Sequence, residues 1–287
     1  MTQLHRNGTV VEKSSGQDRF LAAVYGCTLG RLLLKPLTAP SVSRLAGRFL
    51  STRFSRIFIG PFCRKNGIDL SQFDGAPYGS YNEFFSRPIK SALRPVDGDP
   101  RRLCSPCDSK LTVFPITPEA RFSIKHTEYT LGSLLRDDAL AAKYAGGQLM
   151  LFRLTVDDYH RYGFPADGTP EPGRFIPGVL HTVNPIAGDY FPIYKENTRE
   201  FCTLRSPIFG SMLMMEVGAL MVGKIVNHPV TAPVKKGQEK GMFRFGGSTV
   251  VLILPKDAVV VDEDIRQASA KGWETVVKYG EGIATAL

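Results

Sequence analysis

Long apolar runs are missing from this chain. Near the N-terminus the longest, FLAAVYGCTLG at 20–30, stops at Arg31, short of the roughly 18 apolar residues that a membrane-crossing helix needs. The first 19 residues are polar and charged, which argues against a cleavable signal peptide. Cysteine is scarce and odd in number: Cys27, Cys63, Cys104, Cys107 and Cys202. That pattern points to a reducing compartment without structural disulfides. Cys104 and Cys107 form a CxxC, but no second CxxC or HxxxH supplies the other ligands of a zinc site, so no metal is expected. No repeat of fixed period and no low-complexity tract is present.

What is there begins with charge. The net charge is +9 over 287 residues, and residues 1–67 account for all of it, with eleven Lys/Arg against Glu12 and Asp18. A basic head on a neutral body calls for an anionic partner, lipid or nucleic acid. The segment 18–67 reads as two or three helices broken between Pro36 and Pro40. In its second part Leu45, Phe49, Phe54, Ile57 and Phe58 recur at helical spacing, with Arg44, Arg48, Arg53 and Arg56 between them. This basic amphipathic pattern suits a helix on a membrane surface; it suits equally a helix packed on the protein's own core with solvated arginines. No helix-turn-helix or RNA-binding signature accompanies it, so nucleic acid is not expected.

Residues 68–98 read as a connecting segment with a short helix near Asn82–Ser86. From Arg102 onward short β-type runs alternate with Pro/Gly turns, among them QLMLFRLTV, FCTLRSPI, SMLMMEVGALMVGKIV and TVVLILP. The fold class expected is α+β: a basic helical segment over 1–67, then a mainly antiparallel, sandwich-like β domain over 68–287. The last stretch, from Asp262, reads as one short helix and a loose tail.

Three places carry chemistry. Asp108 sits in a Pro-marked turn, SPCDS, before a strand. His160 lies in DYHRYGFP, the most titratable cluster of the β domain. Ser248 follows two glycines in FRFGGSTVV, where a β-type run is broken. A glycine pair there reads either as a bulge or tight turn between strands, or as a reachable peptide bond that reacts. Asp, His and Ser together allow a nucleophilic arrangement.

Seven blocks in order resemble the phosphatidylserine decarboxylase proenzymes, and the shorter bacterial type among them. They are YNEFFSRPIKSALRPVD, SPCDSKL, DYHRYGFPADG, TVNP, NTRE, FGSMLMMEVGALMVGKI and KKGQEKGMFRFGGSTVVLIL. The resemblance implies self-cleavage at Gly247–Ser248 into chains 1–247 and 248–287, which stay associated. It implies that Ser248 becomes a covalent pyruvoyl cofactor, and that phosphatidylserine is decarboxylated to phosphatidylethanolamine through a Schiff base with that group. Asp108 takes the acid's place in the relay that activates Ser248, and His160 the first histidine's place in the family's HRxH. Gly163 stands where the second histidine, the one the family assigns to self-cleavage, is expected; His160 covering both steps, His126 or His181 in its place, or slow cleavage from backbone strain alone are the alternatives. The partner implied is phosphatidylserine in an anionic membrane, and the place is the periphery of the cell membrane at its cytoplasmic face; a homodimer is left open. Two other readings are a pyruvoyl enzyme for a soluble amino acid and a non-cleaving lipid-binding relative.

Overall fold

The computed structural model describes residues 2–12, 40–124, 127–180, 193–218, 224–244 and 248–287. The helical pattern over 18–39, His126, His181 and the Gly246–Gly247 pair lie outside the described residues.

The α+β expectation holds. In chain order the strands are β1 (Thr2–His5), β2 (Val10–Glu12), β3 (Arg102–Cys104), β4 (Ser109–Pro115), β5 (Arg121–Ile124), β6 (Thr127–Thr130), β7 (Gln148–Leu154), β8 (Arg161–Gly163), β9 (Thr169–Pro170), β10 (Arg174–Ile176), β11 (Arg199–Ser206), β12 (Gly210–Val217), β13 (Ile225–Asn227), β14 (Glu239–Phe243), β15 (Ser248–Leu254), β16 (Val259–Val261), β17 (Glu274–Val277) and β18 (Gly282–Ala286). The large sheet runs β10-β11-β12-β15-β7-β4-β17-β1-β2, with β9 beside β11. Its pairings are antiparallel except β1 with β17.

β15 lies in the middle, hydrogen-bonded to β12 and β7. All seven of its side chains are buried, so the strand shows an unbroken apolar run instead of alternation. Ser248, Val250, Leu252 and Leu254 share one face, where the last three pack with Met150, Phe152, Leu154 and Met214. Val251 and Ile253 face the other way, with Leu149, Leu151, Leu213 and Met215. Two three-stranded sheets, β13-β14-β8 and β16-β18-β3, contribute Tyr162, Phe243, Val259, Val261 and Ile283 to the first core. The β5–β6 hairpin and the helix Leu131–Leu135 cover the second.

The short helix expected near Asn82–Ser86 spans Tyr81–Phe85. Ser80 caps it by accepting the Glu83 N–H, while the Glu83 carboxylate reaches back to the Gly79 N–H at 2.7 Å, a variant of the capping box. Before it come the helix Pro40–Leu50, a 3-10 turn at Arg53–Phe58 and the helix Ile59–Asn66, which ends on the left-handed Gly67.

Both termini differ from the simple expectation. Thr2–Glu12, inside the stretch read as helical, forms β1 and β2 on the edge of the large sheet. Arg6 then clamps onto Asp262 at 2.7 Å, Asp264 at 3.0 Å and Glu281 at 3.3 Å. The C-terminal stretch is not a loose tail: β17 pairs with β1 and β4, and β18 with β16 and β3. Pairing partners far away in sequence supply the hydrogen bonds that order these segments, which local pattern does not reveal.

Candidate active site

β14 of the small sheet ends at Phe243, and β15 of the large sheet begins at Ser248. The strands flanking the glycine pair thus belong to different sheets. Ser248 pairs with Leu154, the last residue of β7. From there the chain turns through residues 155–158 into His160. The turn is built on Asp158, whose carboxylate accepts from the Thr155 N–H at 2.7 Å, the Thr155 hydroxyl at 2.8 Å and the Lys110 ammonium at 2.6 Å. The Phe243 N–H closes the loop by donating to the His160 carbonyl at 2.9 Å. Ser248 and His160 therefore stand at the two ends of the same strand-to-strand passage.

His160 is wholly buried, its ring 4.0 Å from that of Phe85. Its Nδ1 lies 2.9 Å from the Asp158 carbonyl. A carbonyl only accepts, so the hydrogen is on Nδ1 and the lone pair on Nε2. Burial pushes the imidazole down to about 3, against the pull of that hydrogen bond. The ring is therefore neutral at physiological pH. Among the described residues Nε2 has no hydrogen-bond partner, and neither has the Ser248 hydroxyl, which is also wholly buried. Orphaned polar atoms are rare in folded interiors and mark places where something is missing or about to react. A base with a free lone pair and a serine with a free hydroxyl, in a buried site, suit nucleophilic chemistry and suit a prosthetic group made from Ser248 itself.

Asp108 sits elsewhere in this arrangement. Its carboxylate accepts from Arg94 Nε and the Tyr279 N–H, each at 2.8 Å, and lies 3.5 Å from Lys278 Nζ. Burial opposes its charge, but the Arg94 hydrogen bond, Lys278 and the Tyr279 N–H outweigh it and hold the carboxyl below the usual range. Among the described residues no hydrogen bond joins Asp108 to His160 or Ser248; the Asp158 carbonyl orients the imidazole instead.

Position 163 explains part of this. A Cβ on Gly163 would lie 2.2 Å from Tyr279 Oη and 2.8 Å from the Gln238 carbonyl. Tyr279 thus fills the space a histidine would need, its backbone on Asp108 and its hydroxyl donating to the Gly237 carbonyl at 2.7 Å.

Sequence reasoning missed a buried ion pair beside Ser248. Glu216 pairs in register with Val250, so it shares the Ser248 face one pleat along on the next strand. Its carboxylate meets Lys240 at 2.6 Å, with Asn227 bridging. The only sequence signal is an acid inside an apolar strand, SMLMMEV. Arg87 is equally buried, stacked over Phe73 at 4.0 Å and Phe84 at 4.6 Å.

The family model described as phosphatidylserine decarboxylase matches residues 81–285. Phosphatidylserine decarboxylase proenzyme 2 of Clostridium acetobutylicum is 42% identical over 270 residues, covering 94% of this chain and 91% of that protein. The phosphatidylserine decarboxylase proenzyme of Ruminiclostridium cellulolyticum is 37% identical over 283 residues, 96% and 94% of the two chains. That of Chlamydia muridarum is 39% identical over 248 residues, 84% and 82%.

Proposed function

Because the chain belongs to the phosphatidylserine decarboxylase family, we propose that it converts phosphatidylserine to phosphatidylethanolamine and carbon dioxide, at a pyruvoyl group that it makes from Ser248 by cutting itself after Gly247. The observation that carries this reading is the pair of buried, unpartnered atoms, Ser248 Oγ and His160 Nε2, at the two ends of one passage between sheets.

In the uncut chain the Ser248 hydroxyl attacks the Gly247 carbonyl, and His160 Nε2 takes its proton once the two side chains close to hydrogen-bond distance. The peptide bond becomes an ester; elimination breaks it, leaves a carboxylate on Gly247 and, with one water taken up and ammonia released, a pyruvoyl group at the head of residues 248–287. That group supplies an electrophilic carbonyl that takes up the electrons left behind as carbon dioxide departs. The chain's own contribution is to hold the site dry and oriented. Phe85 covers the face of His160, the Asp158 carbonyl fixes its tautomer, and Lys110 fixes Asp158. Asp108, with Arg94 and Lys278, ties residues 278–279 of the C-terminal part to the body.

A diacyl lipid does not leave a bilayer cheaply, at about 0.8 kcal/mol per buried CH2, so the enzyme must meet the membrane. Among the described residues no helix is long and apolar enough to cross one. The basic segment suits a peripheral contact at the cytoplasmic face: Leu45 is 69% exposed, Phe54 80% and Ile57 71%, with Arg48, Arg53 and Arg56 exposed among them. On this reading part of residues 1–67 faces the lipid, and 68–287 does the chemistry on a sheet that β1 and β2 complete.

Intact-mass spectrometry of the wild type and of Ser248→Ala tests the proposal. Two wild-type fragments split after Gly247, the smaller without a serine N-terminus, are expected, with Ser248→Ala left whole. A wild-type chain that stays at 31.6 kDa after long incubation overturns it and favours a non-cleaving lipid-binding protein.

A further inference from the structure

A cavity of about 400 Å3 opens between the N-terminal helical segment and the outer face of the β13-β14-β8 sheet. Ser51 and Asn82 line one side, and Arg161, Met242 and Arg244 the other. Strand alternation makes the second wall. Phe243 and Tyr162 turn into the core, so Met242 and Arg244, with Arg161 in register opposite Met242, turn outward.

The two arginines differ. Arg161 is engaged, donating to both Glu239 carboxylate oxygens and to the Ser86 carbonyl. Arg244 makes no ion pair among the described residues. Across the cavity Asn82 is only 6% exposed. Its Nδ2 donates to the Gly47 carbonyl at 3.0 Å and to Ser51 Oγ at 2.9 Å, which leaves Oδ1 a buried acceptor with no donor among the described residues. Glu83, beside Asn82 on the same helix, also lines the cavity, with one carboxylate oxygen accepting the Gly79 N–H and its charge left on that wall. One wall thus lacks an anion and the other lacks a hydrogen-bond donor, a pairing that a phosphate with a neighbouring ammonium satisfies.

The cavity also lies on a useful line. Ser51 follows the helix Pro40–Leu50, whose Leu45 and Phe49 are exposed. At the other end Ser86 joins Arg161 to the element that carries Phe85, whose ring lies tilted 4.0 Å from that of His160, and Arg244 lies four residues before Ser248.

We propose that this cavity receives the headgroup of the phospholipid substrate before it reaches the reacting position, with the phosphate on Arg244 and Arg161 and the ammonium on Asn82 Oδ1. The proposal rests on the phospholipid reading above. Titration calorimetry on the Ser248→Ala protein tests it without chemistry, using dihexanoyl phosphatidylserine below its micelle concentration, inorganic phosphate and free serine. The short-chain lipid should bind, and Arg244→Gln should weaken it about tenfold, with Arg244→Lys intermediate and the unfolding midpoints of the variants unchanged. Met242→Trp, which fills the cavity from the other residue of the same face, should block binding too, and it carries the test if Arg244→Gln does not fold. Inorganic phosphate should compete weakly and lose its binding in Arg244→Gln; serine should not compete. Inorganic phosphate binding as tightly as the lipid overturns the headgroup assignment in favour of a free-phosphate site. No lipid binding, or binding indifferent to both variants, overturns the cavity while leaving the decarboxylase reading intact. Arg244-dependent binding in a wild-type chain that never cleaves does the reverse.

Discussion

Replacing Gly163 by alanine puts a methyl group where there is no room. Its carbon would sit 2.2 Å from Tyr279 Oη, 2.9 Å from Tyr279 Cζ and 2.8 Å from the Gln238 carbonyl. The carbonyl is fixed because it accepts the Phe164 N–H at 2.9 Å. The tyrosine is fixed at both ends, by its hydroxyl on Gly237 and its N–H on Asp108. Overpacking of this kind costs about 1–3 kcal/mol, and a broken hydrogen bond adds about 1 kcal/mol. Gly163→Ala should therefore lose about 2–4 kcal/mol, a fall in the thermal midpoint of roughly 5–15 °C for a chain of this size. Urea and thermal unfolding of the Ser248→Ala protein measure it without interference from cleavage. Gly163→His should cost more still, although it completes the HRxH pattern, and Tyr279→Ala in the same chain should recover part of the loss. An alanine variant within about 0.5 kcal/mol of its parent, the range of a neutral surface change, refutes the reasoning. So does a histidine variant as stable as the glycine protein.

Arg94→Ala leaves Asp108 buried with only the half-exposed Lys278 and one N–H; a loss of about 3 kcal/mol is expected, partly restored by Asp108→Asn, with unchanged urea midpoints as the contrary result. His160 titrates near 3 in the fold against 6.5 in the unfolded chain, so the unfolded state binds more protons between those values. Its stabilising contribution is full above about pH 6.5 and drains away as pH falls toward about 3, at up to 1.36 kcal/mol per pH unit. A urea midpoint of the Ser248→Ala protein that stays flat from about pH 7 to about pH 5 contradicts this; otherwise His160→Gln should flatten it. Phe54→Asp with Ile57→Asp removes two large apolar contacts worth about 1.5–3 kcal/mol each. Flotation with anionic vesicles should then show at least a tenfold loss of binding, and equal flotation would place the membrane contact elsewhere.

Much of this was legible because its cause is local. β7 and β15 announce themselves as apolar runs bounded by turn residues, and Ser80 and Glu83 mark the helix Tyr81–Phe85. Ser248 and His160 could be named only from blocks that resemble a family, and their buried, unpartnered atoms are consistent with that choice. What stayed hidden depends on distant partners. Thr2–His5 carries no strand signal of its own; β17 recruits it, and Arg6 finds its acids beyond residue 260. Asp108 looks like a free acid in a turn until Arg94 and Tyr279 are set beside it. Gly163 reads as a gap in a motif, and only the packing of Tyr279 shows that the gap is filled.

β15 lies between β12 and β7, and the residues after it feed β17 into the large sheet and β16 and β18 into one of the two three-stranded sheets that flank the first core. Scission after Gly247 would leave that architecture standing but change its thermodynamics. The uncut chain folds in a unimolecular equilibrium. The cut one is a heterodimer with no autonomous half, so its stability depends on concentration. Its melting temperature should rise with protein concentration, where that of the Ser248→Ala chain should not. Once parted, the short chain would have to find the slot between β12 and β7 by diffusion, so the enzyme's lifetime becomes a matter of how slowly it comes apart.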